Sequence, residues 1–239
     1  MKDHLDKLET ILRSLRMLGR SEAVAGMARF GITPEKAYGV SIPELRKLAK
    51  RIGKDHLLAQ QLWAIDTRET RILASMIDDP AQVEEEQMEA WVREFSYWEI
   101  CDQVCQNLFA RTPFAHRKAL EWAERPEEFV RRAGFAIMAW RAFQDRKAPD
   151  EVFEEYFAAI VRGATDERPM VKKAVNWALR QIGKRNSWLN RRAIDVAGHI
   201  LKLDAKSARW IARDALRELT SAAVQERLRK KEAAASGSG

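Results

Sequence analysis

Val130-Arg131-Arg132-Ala133, Val171-Lys172-Lys173-Ala174 and, more weakly, Ala212-Arg213-Asp214-Ala215 repeat one short pattern, and their alanines, 133, 174 and 215, are spaced by 41 and again by 41. A period of about 40 residues suits a helix pair that cannot bury its apolar face alone and therefore stacks on copies of itself. Side chains at equivalent positions of such copies project from one face. Arg132 and Lys173 are therefore expected to point the same way.

Working outward from the repeat, the helical signal holds along the chain. Leu5, Leu8, Ile11, Leu12 and Leu15 fall at spacings of three and four, as do Leu45, Leu48, Ala49 and Ile52, which places each set on one helical face. Ser41-Ile42-Pro43-Glu44 and Asp66-Thr67-Arg68-Glu69 read as capping boxes, in which side chains satisfy the backbone donors that a first helical turn leaves open. Stops are expected at Gly31, Gly53, Pro80, Pro113, Pro126 and Pro149. No stretch alternates with a period of two, so no sheet is expected. The reading is all-α: a HEAT-like repeat solenoid of about twelve to fourteen helices with a concave basic face. Residues 1–230 are expected to form a single solenoid domain. Residues 231–239, Lys231-Glu232-Ala233-Ala234-Ala235-Ser236-Gly237-Ser238-Gly239, read as a linker-like tail of the kind a cloning junction leaves.

Composition bounds the function. A chain of 239 residues that is 46% hydrophobic and 32% charged can bury a sizeable core. Its formal net charge of +7 makes a polyanion the natural partner. The two cysteines, Cys101 and Cys105, stand one helical turn apart, where a disulfide would cross-link nothing useful, so a reducing, cytoplasmic setting is expected. His4, His56, His116 and His199 are scattered; no metal site and no cofactor is expected. The amino terminus has no signal-peptide core, no run is long enough to span a membrane, and a monomer is expected.

Charge is unevenly placed. From Arg168 to Arg192 the cations Arg168, Lys172, Lys173, Arg180, Lys184, Arg185, Arg191 and Arg192 occur without an acidic residue, whereas Glu84-Glu85-Glu86 marks an acidic turn. Taken residue by residue, such a run is the solvated face of a helix. Taken together on one concave surface, it would bind phosphates by counterion release.

Three segments carry candidate chemistry: Tyr97-Trp98-Glu99-Ile100-Cys101-Asp102, Phe129-Val130-Arg131-Arg132-Ala133 and Val171-Lys172-Lys173-Ala174-Val175-Asn176-Trp177. In that order they offer an aromatic and a carboxylate four residues apart, an arginine, and a second tryptophan. They resemble the active-site segments of the bacterial alkylpurine-DNA glycosylases of the AlkD type, members of the HEAT-like DNA alkylation repair superfamily, and the resemblance runs from about Met27 to Lys230. The resemblance implies Asp102 as the catalytic carboxylate, Trp98 and Trp177 as the two aromatics at the sugar, and Arg132 as a phosphate contact. Lys172, Lys173 and Tyr97 join them as expected DNA-binding residues. Tyr97 stands where relatives can carry a second tryptophan, and Glu99 where an aspartate is found.

The expected activity is hydrolysis of the N-glycosidic bond of cationic N3- or N7-alkylated purines in double-stranded DNA. The backbone would be gripped without a base pocket. No lysine takes the place of a Schiff-base lyase, so a monofunctional enzyme leaving an abasic site is expected. Two alternatives stay open: a DNA-binding HEAT protein without catalysis, and a HEAT solenoid used as an engineered protein scaffold. Residue by residue, Asp102 also reads as a helical carboxylate, Arg132 as a salt-bridge partner, and Trp98 and Trp177 as core packing like Trp63, Trp91, Trp122, Trp140, Trp188 and Trp210.

Overall fold

The computed structural model describes residues 2–236, with side chains from 6 to 234. Among the described residues there are fourteen α-helices and two short 3-10 turns, with no strand. The chain divides into two compact units, 1–113 and 114–239.

The N-terminal unit holds α1 (Lys2–Leu18), α2 (Ser21–Met27), α3 (Ile42–Ile52), α4 (His56–Ala64), α5 (Arg68–Ile77), α6 (Glu85–Arg93) and α7 (Trp98–Asn107). Within it α5 packs against α3, α4 and α7. The leucine spacing predicted for the first and third helices places Ile11, Leu15, Leu45 and Leu48 in the core; the Leu5 side chain lies outside the described residues. Trp63 and Trp91 stack face to face, with ring centroids 3.9 Å apart.

One expected cap moves by a residue. At α3 half of the expected box forms: Ser41 accepts from Glu44 N, while the Glu44 carboxylate pairs with Lys47. At α5 the capping box is made by Thr67 and Thr70, not by Asp66 and Glu69. Glu69 is instead fully buried, where its carboxylate accepts from the backbone N–H groups of Tyr38, Gly39 and Val40 at 2.8, 3.0 and 3.2 Å. A carboxylate with three backbone donors to satisfy elsewhere is not available to cap its own helix.

The C-terminal unit holds α8 (Ala115–Ala123), α9 (Glu128–Gln144), α10 (Asp150–Gly163), α11 (Pro169–Gly183), α12 (Ser187–Ile200), α13 (Lys206–Leu219) and α14 (Ala222–Ser236). It is a two-layer stack: α9, α11 and α13 pack in succession, and α8, α10, α12 and α14 form the second row. The layers approach closely at Gly134, where an added Cβ would sit 2.5 Å from Ala123 N and 2.8 Å from Ala119 O on α8. A boundary at residue 230 falls inside α14, which continues to Ser236; residues 237–239 lie outside the described residues.

The 41-residue repeat holds for its first step only. Ala133 and Ala174 are each the sixth residue of their helices, whereas Ala215 is the tenth residue of α13. All three are fully buried. The α11-to-α13 step is shorter at the helix starts, so the weaker third match aligns composition and not helical position.

Candidate catalytic carboxylate and nucleic-acid interface

The site residues of the N-terminal unit sit at the start of α7. Trp98 is its first residue, partly exposed, and its indole Nε1 donates to the carbonyl of Phe30 at 2.8 Å. Phe30 ends a 3-10 turn, Ala28–Phe30, closed by Gly31 at φ 68°. That left-handed residue lies against the indole, with an added Cβ 3.7 Å from the ring. The ring is thus fixed by one hydrogen bond, with Gly31 close beside it. Asp102 follows one turn later on α7, partly exposed.

The flanking residues are occupied differently. Tyr97 supplies the extended backbone before α7, and its side chain is only 6% exposed. Burial, and then the field of Glu99, push its phenol well above the ordinary tyrosine range. A ring so enclosed packs the interior, which leaves little of Tyr97 for the DNA contact expected of it. Glu99 is buried as well, in a bidentate pair with Arg68: Nε donates at 2.6 Å and Nη2 at 2.7 Å. Arg68 Nη1 donates to Val40 O and Glu69 Oε1, each at 2.9 Å. Burial opposes the Arg68 charge, and the bonds to Glu99 and Glu69 outweigh it, raising its pKa. Glu99 thus belongs to a buried structural ion cluster.

In the C-terminal unit Arg132 and Lys173, equivalent by helical position, part company. Arg132 is 6% exposed and donates from Nη1 to the carbonyl of Met170 at 2.6 Å, tying α9 to the first turn of α11. Lys173 is exposed. Lys172 lies with its Nζ 5.6 Å over the ring of Trp210. Trp177 is partly exposed and meets Trp140 edge to face, centroids 5.2 Å apart at 89°. Trp188 and Trp210 are each 42% exposed, not core packing, whereas Trp63, Trp91 and Trp122 are buried as expected.

The acid-free run meets its acids in space. Arg168 pairs with Asp166 at 2.6 Å, Arg180 with Asp214 at 2.8 Å and also with Glu218, Lys184 with Glu218 at 2.7 Å, and Arg192 with Glu154. Arg185 lies 3.8 Å from Asp150. Burial works against the Asp214 charge, and hydrogen bonds from Asn176 and Arg180 outweigh it, holding the carboxyl below its usual range. Among the described residues, Lys172, Lys173 and Arg191 are the members of the run without a carboxylate at ion-pair distance. The basic face is narrower than the run suggests.

No group of three or more His, Cys, Asp or Glu among the described residues is placed to hold a metal ion. No helix among them is long and apolar enough to cross a membrane.

A family described as DNA alkylation repair enzyme matches residues 11–219. Among solved structures, one is a protein of a new family related to the HEAT-like repeat DNA glycosylases with affinity for branched DNA structures. It is 18% identical, with a TM-score of 0.73, covering 88% of this chain and 94% of that chain. A designed armadillo repeat protein is 15% identical, with a TM-score of 0.36 over 74% of this chain and 92% of that one, too distant to inform the fold. Among curated proteins none matches.

Proposed function

This chain belongs to the DNA alkylation repair enzyme family, and we propose that it is a monofunctional glycosylase that releases cationic N3- and N7-alkylated purines from duplex DNA. The observation that carries the reading is the pair on α7: an indole fixed by the Phe30 carbonyl and, four residues on, the partly exposed Asp102.

The chemistry asks little of a protein. An alkylated purine cation departs with the electron pair of the C1′–N bond and leaves as a neutral base, so no acid is needed. Positive charge then develops on the deoxyribose. Asp102 stabilises that charge electrostatically and orients a water whose oxygen bonds to C1′, its proton passing to solvent. Trp98, on the same helix, supplies aromatic surface that excludes water and favours cationic character; Trp177, in the C-terminal unit, offers a second aromatic contact to DNA. Lys172 and Lys173 hold phosphates. Arg132, bound to the Met170 carbonyl, acts as a positioning residue that sets α11, and with it Lys172, Lys173 and Trp177, against α9.

The test is release of free base from duplex DNA carrying 7-methylguanine. Asp102→Asn keeps the shape and removes the charge; base release is expected to fall about 100-fold or more, with duplex affinity changed only a few-fold. Equal rates for the two proteins would remove Asp102 from the chemistry. Wild type that binds duplex DNA but releases nothing would make this a binding protein without catalysis.

A further inference from the structure

Where α9 and α11 end, the C-terminal unit has a second feature that base release does not use. A cleft of about 900 Å³ opens between those ends and α14, within the ~300–1,000 Å³ typical of ligand sites. Five cations line it, Arg146, Lys184, Arg185, Arg227 and Lys231, against one carboxylate, Asp150. Three of the five have structural work. Lys184 pairs with Glu218 at 2.7 Å. Arg185 donates to the carbonyls of Asp145 and Ala148 at 2.6 and 2.7 Å. Lys231 donates to the carbonyls of Lys184 and Arg185 at 3.0 and 3.1 Å, so it closes the C-terminal end of α11 as a cation there should.

Arg146 and Arg227 remain. Both are exposed, and neither has a carboxylate at ion-pair distance among the described residues. Burial, then the fields of Arg227, Arg185 and Arg146, lower the Lys231 ammonium below the usual lysine range. The cleft therefore holds more positive charge than its own acids balance. Beside those arginines the wall is Phe143, 67% exposed. Its ring meets Trp140 edge to face at 6.1 Å, and Trp140 meets Trp177 at 5.2 Å. Three rings thus lead from Trp177 to the cleft.

An open aromatic face beside unpaired guanidinium groups fits a flexible phosphate chain with unstacked bases, and a duplex, whose bases are stacked inward, could not use the ring. We propose that this cleft binds a single-stranded segment of nucleic acid, with phosphates on Arg146 and Arg227 and one base on the Phe143 ring. The proposal shares with the functional reading only the premise that the protein works on nucleic acid; it does not depend on base release.

Fluorescence anisotropy with labelled oligothymidine, blunt duplex and the same duplex carrying an oligothymidine tail tests it on the full chain. Wild type is expected to bind oligothymidine and to prefer the tailed duplex to the blunt one. Phe143→Ala should weaken oligothymidine binding about ten-fold while blunt-duplex binding holds. Arg146→Ala with Arg227→Ala should reduce the salt slope for oligothymidine by about 0.7 for each phosphate no longer held. All three side chains are exposed, and matching thermal melts would establish that the variants fold. Absence of oligothymidine binding by wild type overturns the proposal, as does unchanged binding by Phe143→Ala. Displacement by pyrophosphate with no effect of Phe143→Ala would mean an anion cleft without a base, also against it. Loss of 7-methylguanine release with oligothymidine binding intact would sink the glycosylase reading and leave the cleft standing.

Discussion

The two units solve the same problem, holding stacked helices in register, with charges used in opposite ways. In the N-terminal unit Arg68, Glu69 and Glu99 are all under 10% exposed and clamp the irregular backbone at Tyr38, Gly39 and Val40. In the C-terminal unit three of the ion pairs are half-buried ties between successive repeats, their partners 34 to 38 residues apart: Arg180 to Asp214, Lys184 to Glu218, Arg192 to Glu154. A buried cluster is intolerant of losing one member, because the partner is stranded as a bare charge. A half-buried tie is replaceable by water. The N-terminal unit should therefore fail at single residues, and the C-terminal unit should degrade gradually.

The sharpest way to break that contrast is Arg68→Ala, which leaves Glu99 and Glu69 buried without their cation. Urea unfolding is expected to show a loss of about 3–5 kcal/mol, and a loss under about 1 kcal/mol, the range of an exposed pair, would place the clamp elsewhere. In the C-terminal unit the most sensitive position should be one of packing, not charge. Gly134→Val brings side-chain atoms against the α8 backbone and should cost about 1–3 kcal/mol by the same measurement.

Arg180→Met should cost no more than about 1 kcal/mol, the loss shrinking further at high salt. Acid gives a related, small readout. The Asp214 carboxyl is held below its usual range, so its stabilisation is complete above the unfolded value of about 3.9 and is lost as pH falls through the folded one. Asp214→Asn should therefore flatten the pH dependence of unfolding below about pH 4 and leave the dependence above it unchanged.

Much of the fold is legible in the sequence because it is written locally. Apolar spacing locates the helices, and Ser41, Gly31 and Gly53 mark ends that the structure keeps. What escapes is set by partners far along the chain. Nothing near Glu69 says that it serves the backbone at residues 38–40, so local pattern alone places the α5 cap one residue early. The run from Arg168 to Arg192 looks uncompensated until Glu154, Asp214 and Glu218 are brought beside it. Helical period tells that Arg132 and Lys173 are equivalent, but not that the Met170 carbonyl covers one and leaves the other in water. Likewise Trp188 and Trp210 differ from Trp122 in what lies above them, which composition does not record.

Trp98 carries a last consequence. Indole has a single donor and no acceptor, and here that donor is committed to the carbonyl of Phe30. Whatever approaches this side chain meets a surface without hydrogen-bonding capacity, and so cannot be questioned about the pattern of groups along a base edge. Only shape, polarisability and charge remain as criteria. A ring silenced in this way reads no sequence, and the activity proposed above, which must work wherever damage falls, has use for a contact of that kind.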